Sequence, residues 1–173
     1  KVFTMYEGWD AESKGSSRLV KKEMLAGMEK SSEFHRKREA LIEKRYHADE
    51  IQQRVLNGDG GSWIKEPYDP ETIFQLDRFH IYQEIKRRLK EKEAQQAVIE
   101  LFEANKMEEM LEYIQIYADS VGSNEEADKR SCNAKKLHEY LSNNKEGLLP
   151  YRERGIKIPE AKPGIVYKNM GVQ

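Results

Sequence analysis

The chain has 173 residues and a net charge of −1, from 30 Lys and Arg against 31 Asp and Glu, which fits one domain, or a core with a modest insertion, able to bury a real core. Charged residues make up 35%, hydrophobic residues 38% and aromatics 9%, a balance that suits amphipathic helices with solvated outer faces and excludes a disordered chain. No stretch approaches the roughly 18 apolar residues of a membrane span. Cys132 is alone, so neither a disulfide nor an all-cysteine metal site can form within the chain, and the absence of a secretory signal makes the reducing cytoplasm the expected compartment.

The N-terminal half mixes periods. Val2, Phe3, Met5 and Tyr6 are β-formers ahead of Gly8 and predict a strand. Residues 10–17 are polar and read as a loop, and 18–28 fits either a second strand or a short helix. Residues 32–46 predict a helix carrying Phe34, Leu41, Ile42 and Tyr46. A short strand is expected over 50–56, then a loop bracketed by Pro67 and Pro70, then an extended segment over 73–76.

The C-terminal half is helical. Asp77 is placed to cap a helix starting at Arg78, with Leu76 and Ile81 at hydrophobic-staple spacing. Stripes follow through Ile81, Ile85 and Leu89, through Ala94, Val98 and Phe102, through Met107, Met110, Leu111 and Ile114, and through Ala127, Ala134, Leu137 and Leu141. Ser123 and Glu126 form a Ser-x-x-Glu capping box for the last of these helices. Short connections predict an antiparallel helical bundle. Beyond Asn143 the chain turns irregular, with one last strand expected over 165–167. The fold class is therefore α/β and mostly helical, with an all-helical block set into an α/β region that resumes afterwards.

Three features could carry chemistry. In Asn57-Gly58-Asp59-Gly60-Gly61, three glycines surround one carboxylate after a predicted strand. This is either a tight hairpin turn or an acidic metal ligand whose small neighbours let a phosphate approach the backbone. Asp77 and His80 are three apart and share a helix face, either as a metal pair or as a helix cap beside a packed imidazole. The cluster Lys86, Arg87 and Arg88, like Arg36-Lys37-Arg38 and Lys44-Arg45, could neutralise DNA phosphates. Its interleaving with glutamates, as in Glu84 to Arg88, also describes an ordinary solvated helix face. Trp9 and Trp63 read as packing anchors, His35, His47 and His138 as surface residues, and Met107 and Met110 as core filler.

Four segments occur in order: Met5-Tyr-Glu-Gly-Trp9, then Arg54-Val-Leu-Asn-Gly-Asp-Gly-Gly-Ser-Trp-Ile-Lys65, then Leu76-Asp-Arg-Phe-His-Ile-Tyr82, then Tyr167-Lys-Asn-Met-Gly171. In these the chain resembles, over essentially its whole length, the ISLre-type insertion-sequence transposases of bacteria, relatives of the Mutator-like DDE transposases. The resemblance implies a partial ribonuclease-H-like core over 1–82, a helical insertion over 83–146 and a return towards the core over 147–173. It also implies three carboxylates holding two Mg²⁺ (or Mn²⁺) ions for DNA cleavage and strand transfer.

Asp59 matches the second of these acids. The first is expected upstream of Lys1 and the third just after Gln173, so the chain, whose ends look cut, is expected to be an inactive fragment. By the same resemblance Gly58, Gly60, Trp63, Asp77 and His80 are motif residues that support Asp59. The implied partners are transposon-end and target DNA, with a homodimer in the full-length protein and no membrane. Two rivals stand beside this reading: a non-catalytic helical module that binds protein or nucleic acid, and a different metal enzyme using Asp59, Asp77 and His80 together.

Overall fold

A computed structural model describes residues 1–12, 18–65, 72–122 and 124–168. It is mostly helical with small sheets, as the α/β reading expects. The chain divides into two compact units: Lys1–Val55, Glu66–Ile73 and Lys157–Asn169 form one, and Leu56–Lys65, Phe74–Ile156 and Met170–Gln173 the other. No helix among the described residues is long and apolar enough to cross a membrane.

The first unit is built on two small sheets. Strand β1 (Val2–Met5) pairs antiparallel with β4 (Glu23–Ala26), and β2 (Gly8–Asp10) lies between β3 (Leu19–Val20) and β7 (Ile165–Val166). The segment over 18–28 is thus two strands rather than one strand or a helix. Lys21, at φ 50°, turns the chain between them, and each half finds its own partner. Asp10 belongs to a strand rather than a loop, and residues 13–17 of that expected loop lie outside the described residues. Helix α1 (Ser31–Arg45) buries Phe34, Ile42, Arg38 and His35. His35 is only 7% exposed, which corrects the surface placement: it follows Phe34 on the buried face rather than the solvated one. Arg38 and Arg54 converge on the two oxygens of Glu39, and the Arg38 guanidinium lies over the Phe3 ring.

The second unit holds all but the first residue of β5 (Val55–Gly58) and of β6 (Ile73–Leu76), the single-turn α2 (Ser62–Lys65), and four longer helices: α3 (Arg78–Arg88), α4 (Lys92–Glu103), α5 (Met107–Ser120) and α6 (Glu125–Asn143). The expected strand over 50–56 lies further along the chain. Ala48–Glu50 is a 3-10 turn, and Asn57 and Gly58 are in the strand although neither favours β structure; pairing outweighs their weak propensity. Strands β5 and β6 pair. Ile73 N–H donates to the Arg54 carbonyl (2.9 Å) and Asp77 N–H to the Gly58 carbonyl (2.9 Å). Partner numbers rise together along both strands, so the pair is parallel. A two-residue hairpin joins only antiparallel strands, so Asn57-Gly58 and Asp59-Gly60 are not a hairpin turn.

Asp77 caps α3 as its chemistry predicts, its Oδ1 accepting the Phe79 N–H at 3.2 Å. Leu76 and Ile81 flank the cap, both fully buried. The helical stripes meet in one core of Ile81, Ile85, Val98, Phe102, Ile114 and Leu137 among others. Helix α6 is capped by Asn124, whose Oδ1 accepts the Ala127 N–H at 2.8 Å. The cap is therefore one residue later than the capping box places it, and Ser123 itself is outside the described residues. The loop bracketed by Pro67 and Pro70 also lies outside them.

After α6 the chain returns along β6. The Gln75 side chain, 1% exposed, donates to the Gly147 carbonyl (2.7 Å) and accepts the Tyr151 N–H (2.9 Å), while Arg154 donates to the Phe74 carbonyl (2.8 Å). Substituting Asp77→Ala removes the α3 cap and should cost about 1 kcal/mol, read as a lower urea midpoint with an unchanged slope.

Candidate functional site

Asp59 follows the last residue of β5, at the carboxyl end of a parallel pair, and its side chain is exposed. Its Oδ1 accepts the Gly61 N–H at 2.9 Å, which fixes the carboxylate against its own loop. Its backbone carbonyl accepts the Tyr140 hydroxyl at 2.9 Å, so α6 pins the loop from the other side. Gly60 has φ 85°, and a Cβ there would sit 2.5 Å from Asn144 Oδ1. Both facts demand glycine: the conformation is left-handed, and the space belongs to a buried amide. Gly58 is similarly covered, with Ile64 Cγ2 2.9 Å from where its Cβ would stand. Trp63, half-buried in α2, lies against Gly61.

Asp77 adjoins this loop through its bond to the Gly58 carbonyl. Both its oxygens are used: Oδ1 takes the Phe79 N–H, and Oδ2 faces His80 Nδ1 at 3.1 Å. Asp77 is therefore a cap that also holds an imidazole, the simpler of the two readings of this pair. No group of three His, Cys, Asp or Glu residues among the described ones could hold a metal ion. Asp59, Asp77 and His80 thus do not assemble the metal centre of the third reading.

Of the basic cluster, Arg87 and Arg88 both bond Glu84 Oε2, at 2.7 and 2.8 Å, while Lys86 is exposed. Burial raises the Glu84 carboxyl, and the two guanidiniums more than offset it, holding its pKa below the usual range. This is the geometry of a salt-laced helix face, with two of the three cations engaged within α3.

Sequence reasoning did not find Tyr140 or Asn144. Tyr140 lies on α6, 81 residues from Asp59, and Asn144 just after its end, and no local pattern reports a contact at that separation. Burial raises the Tyr140 phenol above its ordinary value of 10.0, and the charges of Glu84, Asp59 and Asp77 raise it further. The three carboxylates thus act on one hydroxyl, which stays protonated and able to donate. Chemically, the loop presents a single hard anionic oxygen donor to solvent on a backbone fixed from both sides.

A mixed α/β chain, helical over most of its length, with an acid fixed at the end of a parallel strand is the class defined here. The chain belongs to an uncharacterised protein family (UPF0236), whose family model matches residues 1–164. Neither the curated proteins nor the solved structures contain a match.

The Tyr140 phenol gives a test by pH. An unfolded tyrosine ionises near 10.0, whereas the folded Tyr140 holds its proton to higher pH. Its contribution is fully present below that ordinary value and is lost as pH rises towards the folded value. Tyr140→Phe should lose about 1 kcal/mol at neutral pH with its hydrogen bond, and its stability should then fall less steeply than wild type above about pH 10, as read by denaturant titration.

Proposed function

We propose that this chain is part of the catalytic region of a bacterial DNA transposase of the ISLre type, with Asp59 as one of the acids that hold its divalent metal ions. The observation that carries the reading is the position of Asp59: an exposed carboxylate directly after a strand of a parallel pair, on a loop whose glycines let it pack closely against its neighbours. Ligands in open α/β sheets gather at the carboxyl ends of strands. The parallel β5–β6 pair followed by a helical block also suits a ribonuclease-H-like core with an insertion.

The donor set was weighed against the implied metal. Asp59 offers carboxylate oxygen, which suits Mg²⁺ or Mn²⁺. It fits one ligand position, and no group of three such ligands occurs among the described residues. When bound, a pair of such ions would activate the attacking hydroxyl and offset charge developing on the phosphate. The residues of this chain have three tasks. Asp59 presents its carboxylate, Tyr140 and the Gly61 N–H keep the loop that carries it in place, and Gly60 supplies the left-handed turn that lets the loop pack against Asn144. The full-length protein is proposed to act in the cytoplasm as a homodimer that joins transposon ends to target DNA.

Asp59→Ala in the full-length protein should abolish transposition while leaving the thermal midpoint within a few degrees of wild type. Normal transposition by that variant would remove the reading. The 173-residue chain alone should leave supercoiled plasmid intact in Mg²⁺ and in Mn²⁺.

A further inference from the structure

Among the described residues of the second unit, three asparagine oxygens are buried without a hydrogen-bond partner: Oδ1 of Asn57, of Asn105 and of Asn144. A buried acceptor left unpaired gives up its hydration for no return, so each asks for a reason. Two have one in their surroundings. Asn144 gives its amide N–H to the Tyr140 carbonyl at 2.7 Å, which turns its oxygen against Gly60. Asn105 gives its amide N–H to a Glu153 carboxylate oxygen, from a left-handed turn with φ 58°. In both, the bond made by the nitrogen sets the direction of the oxygen. Asn57 has no such bond, since its amide nitrogen donates to no group among the described residues. Nor does the strand ask for asparagine. Asn57 sits inside β5 after Val55 and Leu56, where a valine would suit the pleat better and leave no polar atom unpaired. Choices that break a local rule in this way gather at functional sites. Two residues on is Asp59, just past the end of the strand. Side chains two apart lie on one face of a strand, so Asp59 continues the face that carries Asn57.

We infer that Asn57 is a second oxygen donor of the Asp59 site, its amide oxygen accepting a hydrogen bond from a water in the hydration shell of the divalent cation. The inference rests on the proposed function and adds to it a group that supports the bound ion. Spacing decides in favour of contact through water. Two residues of strand span about 7 Å, a gap that a hydrated ion fills better than a bare one, and Mg²⁺ gives up its waters reluctantly. The amide is also unheld: with neither end bonded, a half-turn about its last side-chain bond exchanges nitrogen and oxygen. A DNA phosphate is the weaker candidate for this amide. The unpaired buried atom is an acceptor, and a phosphate oxygen has no proton to give it.

The test is Mn²⁺ binding by the full-length protein without DNA, with free Mn²⁺ measured by electron paramagnetic resonance. Asn57→Val and Asn57→Ala should each weaken binding about 10- to 100-fold, the range for losing a group that supports a metal ligand. The metal-free thermal midpoint of Asn57→Val should stay at or above that of wild type, which separates lost binding from lost folding. Asn57→Asp keeps an acceptor oxygen and should bind Mn²⁺ at least as tightly as wild type. Wild-type affinity in both Asn57→Val and Asn57→Ala would overturn the inference. Binding by Asn57→Asp as weak as that of Asn57→Val would do so too, because the working atom would then be the amide nitrogen. Asp59→Ala separates this inference from the reading beneath it. Binding lost in Asp59→Ala but kept in both apolar Asn57 variants sinks the role of Asn57 alone, whereas wild-type binding in Asp59→Ala sinks both.

Discussion

The site depends on one residue at a junction. Asp77 donates its backbone N–H to the Gly58 carbonyl at the end of the parallel pair, caps α3 with one carboxylate oxygen, and holds His80 with the other. Strand β5, helix α3 and the Asp59 loop therefore share one anchor. Its side chain is 13% exposed, so these bonds compete little with water. A carboxylate at the N-cap is also favoured by the helix dipole. Without this anchor the loop would have no fixed relation to the helix beside it.

A second constraint acts on β6. Gln75 is buried where a strand of this kind would ordinarily place an apolar side chain. Its amide is fully used, with Nε2 on the Gly147 carbonyl and Oε1 accepting from Tyr151 N–H. A buried amide left half-satisfied would cost about 1–3 kcal/mol, so the pairing specifies where the segment after α6 must lie. Arg154 reinforces it from the Phe74 carbonyl, although burial lowers its guanidinium pKa. Leu76, next in the strand, fills the core between the helices. One strand thus alternates between a polar lock and an apolar plug.

Much of the helical block is legible in the sequence because its signals are local. Asp77 before Arg78 fixes the start of α3 to the residue, and the stripe of Ile81 and Ile85 its buried face, while Leu89 falls just beyond its end. The segment over 73–76 is likewise read with its observed bounds, since β-branched and aromatic residues end at a cap. What was not legible depends on distant partners. Asn57 and Gly58 look like turn residues and are strand residues, because β6 pairs with them. His35 looks like a polar helical residue and is buried. At the site, Asp59 and its glycines stand out by composition alone. Tyr140, which bonds that loop, and Asn144, which packs against Gly60, carry no signal in their own neighbourhood.

The central claim is that the Asp59 carboxylate grips a divalent cation. A change of ligand softness tests it most directly: Asp59→Cys in the full-length protein, with DNA cleavage measured in Mg²⁺ and in Mn²⁺. Thiolate is a poor ligand for a hard ion and a better one for a softer ion. The account predicts a variant silent in Mg²⁺ that regains cleavage in Mn²⁺. A variant that cleaves in Mg²⁺ as fast as wild type would contradict it.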